Sequence, residues 1–322
     1  MFERLQPKQL IRGHAMALAA LAAWVALSLQ PACAQVAPAN TALPTGASVA
    51  AGSAHVVTGG TAAAPVMTVN QGTDRAIVNW NTFNVGRDAS VVFQQPNANS
   101  VILNRVLDAN PSAVFGNLQA NGQVFLLNPA GVWFGPTSSV DVGALVATTH
   151  SMSDADFMNG NYRFERNGAS GKVVNEGNIE AKLGGYIALL APEVRNEGVL
   201  LAKSGTIALA AGETVTLNVN PANSQVDLLV SPSTVNSLIE NRKIIRAPEG
   251  RVIVSAQAYN ELASGVIKNS GEISAAGITK VGGKIVLGAS TELANSGTID
   301  ASSIAADGGS VFGVHQAASS YG

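Results

Sequence analysis

The chain has 322 residues, 47% of them hydrophobic, with 33 glycines and only 12% charged residues, enough apolar material for a sizeable core and too little charge for a disordered chain. A formal net charge of −2, the absence of any lysine or arginine run and 5% aromatic residues exclude a nucleic-acid surface, which needs basic stripes and stacking rings. Length alone allows one large domain or two smaller ones.

Residues 1–34 read as a targeting segment. Arg4, Lys8 and Arg12 form a basic start, and Ala15 to Leu29 is an apolar run of 15 residues broken only by Ser28. Ala32-Cys33-Ala34 then fits a small-residue cleavage signal, so the mature chain is expected to begin at Gln35 after Sec export. The run is short for a membrane span. Cys33 is the sole cysteine, which leaves the mature chain without disulfides and free to cross a further barrier unlinked. The mature part carries 16 positive and 20 negative charges, a net of −4.

Residues 35–72, rich in alanine, threonine and glycine, read as a cap and first strands. Residues 73–172 carry irregular β-type runs broken by turns. In "FLLNPAGVWFG" (125–135) the insert Asn128-Pro129-Ala130-Gly131 fits a type I turn, with asparagine at i, proline at i+1 and glycine at i+3. Asn110-Pro111-Ser112 is a second turn by composition. "SDADFMNGNYRFE" (153–165) opens as a capped helical turn in a loop.

From residue 173 to 322 two phrases alternate. The first is "VVNEGNIEA" (173–181), repeated as "VRNEGVLLA" (194–202), "IKNSGEISA" (267–275) and "LANSGTIDA" (293–301). The second is "GGYIALLA" (184–191), repeated as "SGTIALAA", "EGRVIVSA", "GGKIVLGA" and "GGSVFGV". A degenerate first phrase, "IENRKIIRA" (239–247), follows an insert in which "TVTLNVN" and "QVDLLVS" read as a hairpin around Pro221-Ala222-Asn223. A β-type repeat of 21 to 26 residues predicts a solenoid whose coils cannot fold alone and are stable only when stacked. Alternate residues such as Ile187 and Leu189, or Ile285 and Leu287, point inward. The corners fall at Asn175 and Gly177, Asn196 and Gly198, Asn269 and Gly271, and Asn295 and Gly297. Left-handed backbone is expected there, with the asparagines stacked as a hydrogen-bonded ladder. The last strand phrase stops without a cap, which reads either as the front of a longer protein or as a tail that folds back.

Five linked elements then carry a resemblance: "NWNTFNVG" (79–86), "VVFQQP" (91–96), "LNRV" (103–106), "NGQVFLLNPAGVWFG" (121–135) and "LVATT" (145–149). Together with the glycine-rich phrases they resemble the N-terminal secretion domain of two-partner-secretion exoproteins, the filamentous haemagglutinin and high-molecular-weight adhesin group. The resemblance implies an all-β fold: a right-handed parallel β-helix with an N-terminal cap and an extra-helical β-hairpin. It implies recognition in the periplasm by the periplasmic domains of an outer-membrane transporter, then folding at the surface of a Gram-negative cell, without nucleotide or metal. The family's motif has a second asparagine where this chain has Ala130, and commonly isoleucine where it has Val132; the turn tolerates both changes. The motif residues Asn104, Arg105, Asn128, Pro129 and Gly131 serve either correct folding or direct transporter contact. Arg105 reads as a solvated charge or as an outward contact for an acidic patch. A host-cell receptor or glycan is a further expected partner; nucleic acid is not.

The same architecture carries polysaccharide lyases. Asp154, Asp156 and Glu165 lack the spacing of a calcium loop, and His55, His150 and His315 are isolated from one another. Glu176 and Glu197 recur one per coil, as a solvated rim or a paired-carboxylate site. No metal or catalytic residue is assigned. A secreted cytolysin of the same secretion class is the remaining alternative, since its activity would lie beyond this region.

Overall fold

The computed structural model describes residues 36–220, 225–259, 262–277, 283–304 and 308–315. The expected targeting segment and Cys33 lie outside the described residues. Beyond Val36 the described chain is a right-handed parallel β-helix, the hand that parallel crossovers take.

From Ser112 onward each coil contributes one strand to each of three sheets, and this explains the two alternating phrases. In one coil Lys172–Asn175 joins the asparagine sheet, Asn178–Ala181 the third sheet, and Tyr186–Leu190 the first sheet. The next coil repeats the order with Glu193–Asn196, Val199–Ala202 and Thr206–Ala211, paired in parallel register with the coil before. The first phrase is therefore two strands and the corner between them, and the second phrase is the third strand. Inward residues stack on like residues: Val173 on Val194, Ile179 on Leu200, Ala181 on Ala202, Ile187 on Ile207 and Leu189 on Leu209. All ten belong to one continuous apolar core. Towards the N-terminal end this core widens around aromatics; Trp80 and Phe83 meet edge to face with centroids 5.5 Å apart.

Two antiparallel strands close the N-terminal end. Ser48–Ala51 runs against Arg75–Trp80, and Ala54–Gly60 runs against Pro65–Gln71. They occupy the flanks that an unfinished parallel sheet would leave open.

The middle strands of the first sheet are buried on both faces. Tyr186–Leu190 is buried at every position, because its inner face lines the core and its outer face lies under a side structure. That structure is a helix, Asp154–Asn159, and an antiparallel sheet of Tyr162–Glu165, Thr214–Val219 and Val226–Ser231. The hairpin expected in the insert is present, and it has a third strand, Tyr162–Glu165, for which the sequence carries no assignment. Phe157, Tyr162, Phe164, Val215, Leu217 and Val226 form a second core with the outward Phe125, Val146, Tyr186 and Leu190. The helix begins as read: Ser153 Oγ accepts the Asp156 N–H at 3.1 Å, and Gly160 ends the helix in left-handed backbone.

The corner glycines need a correction. Among the described residues, Gly177, Gly198, Gly271 and Gly297 are not left-handed, and neither are the ladder asparagines. They are glycine because there is no room. A β-carbon on Gly198 would collide with the Gly177 carbonyl oxygen, one on Gly271 with that of Lys243, and one on Gly297 with that of Gly271. Close approach of one coil to the next selects the residue, rather than the sign of φ.

Candidate functional site: the asparagine corners and the motif groove

The ladder is continuous. Asn175 Nδ2 donates to Asn196 Oδ1 at 2.8 Å, Asn196 to Asn241 at 2.8 Å, Asn241 to Asn269 at 2.7 Å and Asn269 to Asn295 at 2.6 Å. Asn241, which is not among the four corner asparagines expected from the sequence, fills the rung in the degenerate phrase. The second amide proton of most rungs goes to a backbone carbonyl of the next coil, such as Ile244 O at 3.1 Å and Glu272 O at 3.2 Å. Asn175 and Asn196 are fully buried, so these bonds satisfy groups that water cannot reach. Below Asn175 the equivalent position is Phe134, where the ladder starts.

The motif turn is a second buried amide site. Gly131 N–H donates to the Asn128 carbonyl at 2.9 Å, closing the turn. Gly131 has φ +132°, a conformation that penalises any side chain. Asn128 is fully buried. Its Oδ1 accepts the Ala130 N–H at 3.0 Å, and its Nδ2 donates to Asn110 O and Ser112 Oγ, both at 3.0 Å. The side chain thus ties this turn to the Asn110-Pro111-Ser112 turn of the coil beneath. Asn104 does the same on the neighbouring strands: its Oδ1 accepts Trp80 Nε1–H at 2.9 Å and its Nδ2 donates to Phe125 O at 3.2 Å. Asn104 and Trp80 are both fully buried.

Arg105 is not a freely solvated charge. Its side chain is 24% exposed, lies 2.6 Å from Asp154, and donates to Met152 O at 2.9 Å. It clamps the start of the side helix onto the first sheet. Arg105, Val106, Leu127, Pro129, Ala130 and His150 border a largely apolar groove of about 360 Å³, with Leu107, 63% exposed, at its lip. The structure thereby brings the "LNRV" and "NPAG" motifs to one place.

His150 forms the floor of that region. It is fully buried, its Nε2 lies 2.9 Å from Gly212 O, and its Nδ1 has no partner. This is the pattern of a neutral ring donating through Nε2. Burial holds its pKa below the ordinary 6.5, outweighing the Gly212 bond and the Glu213 charge. A group with a depressed basic pKa takes up its proton more readily when unfolded, so its contribution is complete above the unfolded value and is lost as pH falls below it. Stability of the wild-type domain should therefore fall more between pH 7 and pH 5 than that of His150→Gln, whose amide can keep the Gly212 bond. Urea midpoints at the two pH values check this, and equal losses contradict it.

Among the described residues the acidic groups named above do not come together as one site. Glu176 accepts Trp133 Nε1–H at 2.9 Å and Glu197 pairs with Arg242 at 2.9 Å, so the two carboxylates serve separate partners. Asp154 is held by Arg105, whereas Glu165 pairs with Arg163. Among the described residues no three His, Cys, Asp or Glu side chains converge as metal ligands.

Comparisons with known proteins agree with this geometry. The model of the TPS secretion domain matches residues 34–301. A heme/hemopexin-binding protein of Haemophilus influenzae, strain Rd, is 33% identical over 255 residues, covering 77% of this chain and 27% of that protein. A second Haemophilus influenzae heme/hemopexin-binding protein is 29% identical over 246 residues, with 69% and 26% covered. The chain thus spans about a quarter of the length of these curated relatives. The crystal structure of the HMW1 secretion domain from Haemophilus influenzae superposes with a TM-score of 0.67 and 27% identity, covering 84% of this chain and 76% of that one. A buried asparagine ladder, paired asparagine-proline turns and a side sheet over a three-sided solenoid are thus found in a chain that belongs to the TPS secretion-domain family of exported exoproteins.

Proposed function

We propose that this chain is the secretion-signal domain of a large adhesin-type exoprotein, recognised in the periplasm by a cognate outer-membrane transporter and folding as a β-helix at the cell surface. The observation that carries this reading is the family match over residues 34–301, joined to the burial of the motif asparagines. An open solenoid suits the task. Each coil is stabilised by the one before it, so the chain can cross the membrane slack and become rigid coil by coil afterwards.

The motif residues Asn104, Asn128, Pro129 and Gly131 act through folding, and Arg105 through the side helix. The transporter meets the chain before it folds, as an extended segment that adds as a strand to an exposed sheet edge. The cargo reading of adhesion, with a host receptor or glycan as ligand, rests on the resemblance to high-molecular-weight adhesins. The relatives named for heme and hemopexin binding favour a second cargo, one that binds heme or hemopexin. The domain itself needs no cofactor and catalyses nothing.

Expression with and without the cognate transporter tests the proposal. The domain should reach the culture medium only when the transporter is present. Release without it, or periplasmic retention with it, contradicts the reading.

A further inference from the structure

The side sheet ends before the apolar face beneath it does. On the outer face of the first sheet Phe125, Val146, Ala188 and Ala208 stand in register on successive strands, and all four are buried under the side structure. The column continues through Ile253 and Val286 on the next two strands. Ile253 is 9% exposed and Val286 only partly buried. The outermost side strand, Val226–Ser231, packs over the coil bearing Arg251–Ala256.

That strand has an open flank. Its inner flank pairs with Thr214–Val219, and among the described residues no strand pairs with the other. Leu228 and Val230 pack on the second core yet remain partly exposed, while Leu229 on the opposite face is 67% exposed. Two cations border the stripe in register, Arg251 and Lys284. Arg251 binds Asp227 at 2.8 Å, and Lys284 rests over the Phe312 ring at 5.3 Å. Ile253 is thus nearly covered, and the column opens at Val286 and at Phe312, its 51% exposed partner on the next strand; an unpaired backbone flank beside such a partly covered end of an apolar column is the geometry that one more strand completes.

We propose that the flank of Val226–Ser231 and the Ile253–Val286 stripe form a docking site for an extended segment of another polypeptide. The segment adds as a fourth strand of the side sheet, with apolar residues at alternate positions on the stripe and an acidic residue beside Lys284 and Arg251.

The probe is a pool of synthetic peptides of about ten residues, a typical upper strand length. Valine, isoleucine or leucine alternates with threonine or serine, and one end carries glutamate. Titrated into the folded domain, members of the pool should bind with Kd below about 100 μM and slow amide exchange at Leu228 and Val230. Lys284→Glu and Val286→Asp should each weaken binding about tenfold or more, equivalent to roughly 1.4 kcal/mol. Lys284 is exposed, so its variant retains the fold even if Val286→Asp does not. Replacing the peptide glutamate by lysine should weaken binding similarly. No saturable binding below about 1 mM, binding indifferent to Lys284→Glu, or protection confined to other strands would overturn the proposal.

Discussion

Asn128→Asp should be the most damaging single change in the domain outside its apolar core. The substitution keeps the shape and the acceptor for the Ala130 N–H. It removes both donors, so the Asn110 carbonyl loses its partner at 3.0 Å and faces a buried carboxylate, while the Ser112 hydroxyl must turn from accepting to donating. Each unsatisfied buried group costs about 1–3 kcal/mol, and the unpaired charge adds more. The expected loss is at least about 3 kcal/mol, with Asn128→Ala somewhat milder because it buries no charge. Urea unfolding of the purified domain measures it. Losses below about 1 kcal/mol for both variants would mean that the turn holds without its amide.

Asn196→Ala should cost about 2–4 kcal/mol, against about 1 or less for Asn295→Ala. The interior rung gives up an acceptor for Asn175 and a donor to Asn241, both buried, and a part-buried donor to Ile244 O. Asn295 is exposed and receives one ladder bond, from Asn269. The gradient between the two sites separates a buried ladder from a row of equivalent surface contacts. Equal losses in the same urea experiment would contradict the ladder as described.

The residues that were legible in the sequence are those whose role depends on local period. Ile187 and Leu189 alternate along a strand and face the core. The hairpin of Thr214–Val219 and Val226–Ser231 announced itself by two β-rich runs around a proline turn. Asn241 was hidden by a degenerate phrase and by the insert that separates it from Asn196, although "IENRKIIRA" keeps its asparagine in place. Asn104 was open to a parity argument: Ile102 faces the core, so the residue two positions on faces it too. Arg105 had no such signal. Its partner Asp154 lies on a helix 49 positions later in the chain, and only the fold brings the two together. The corner glycines were placed correctly and explained wrongly, because a sequence shows that a β-carbon is missing but not which neighbour would have met it. Tyr162–Glu165 went unread as a strand because its pairing partner, Thr214–Val219, is a distant segment.

The claim on which the rest depends is that the motif asparagine serves the fold and not the transporter's grip. The deciding measurement is the affinity of the transporter's purified periplasmic domains for the chain held unfolded in mild urea, with Asn128 and with Asn128→Ala. The account predicts affinities equal within about twofold, below 0.5 kcal/mol, beside a stability loss of about 2–3 kcal/mol in the folded variant. An affinity reduced tenfold or more with the folding stability unchanged would contradict it.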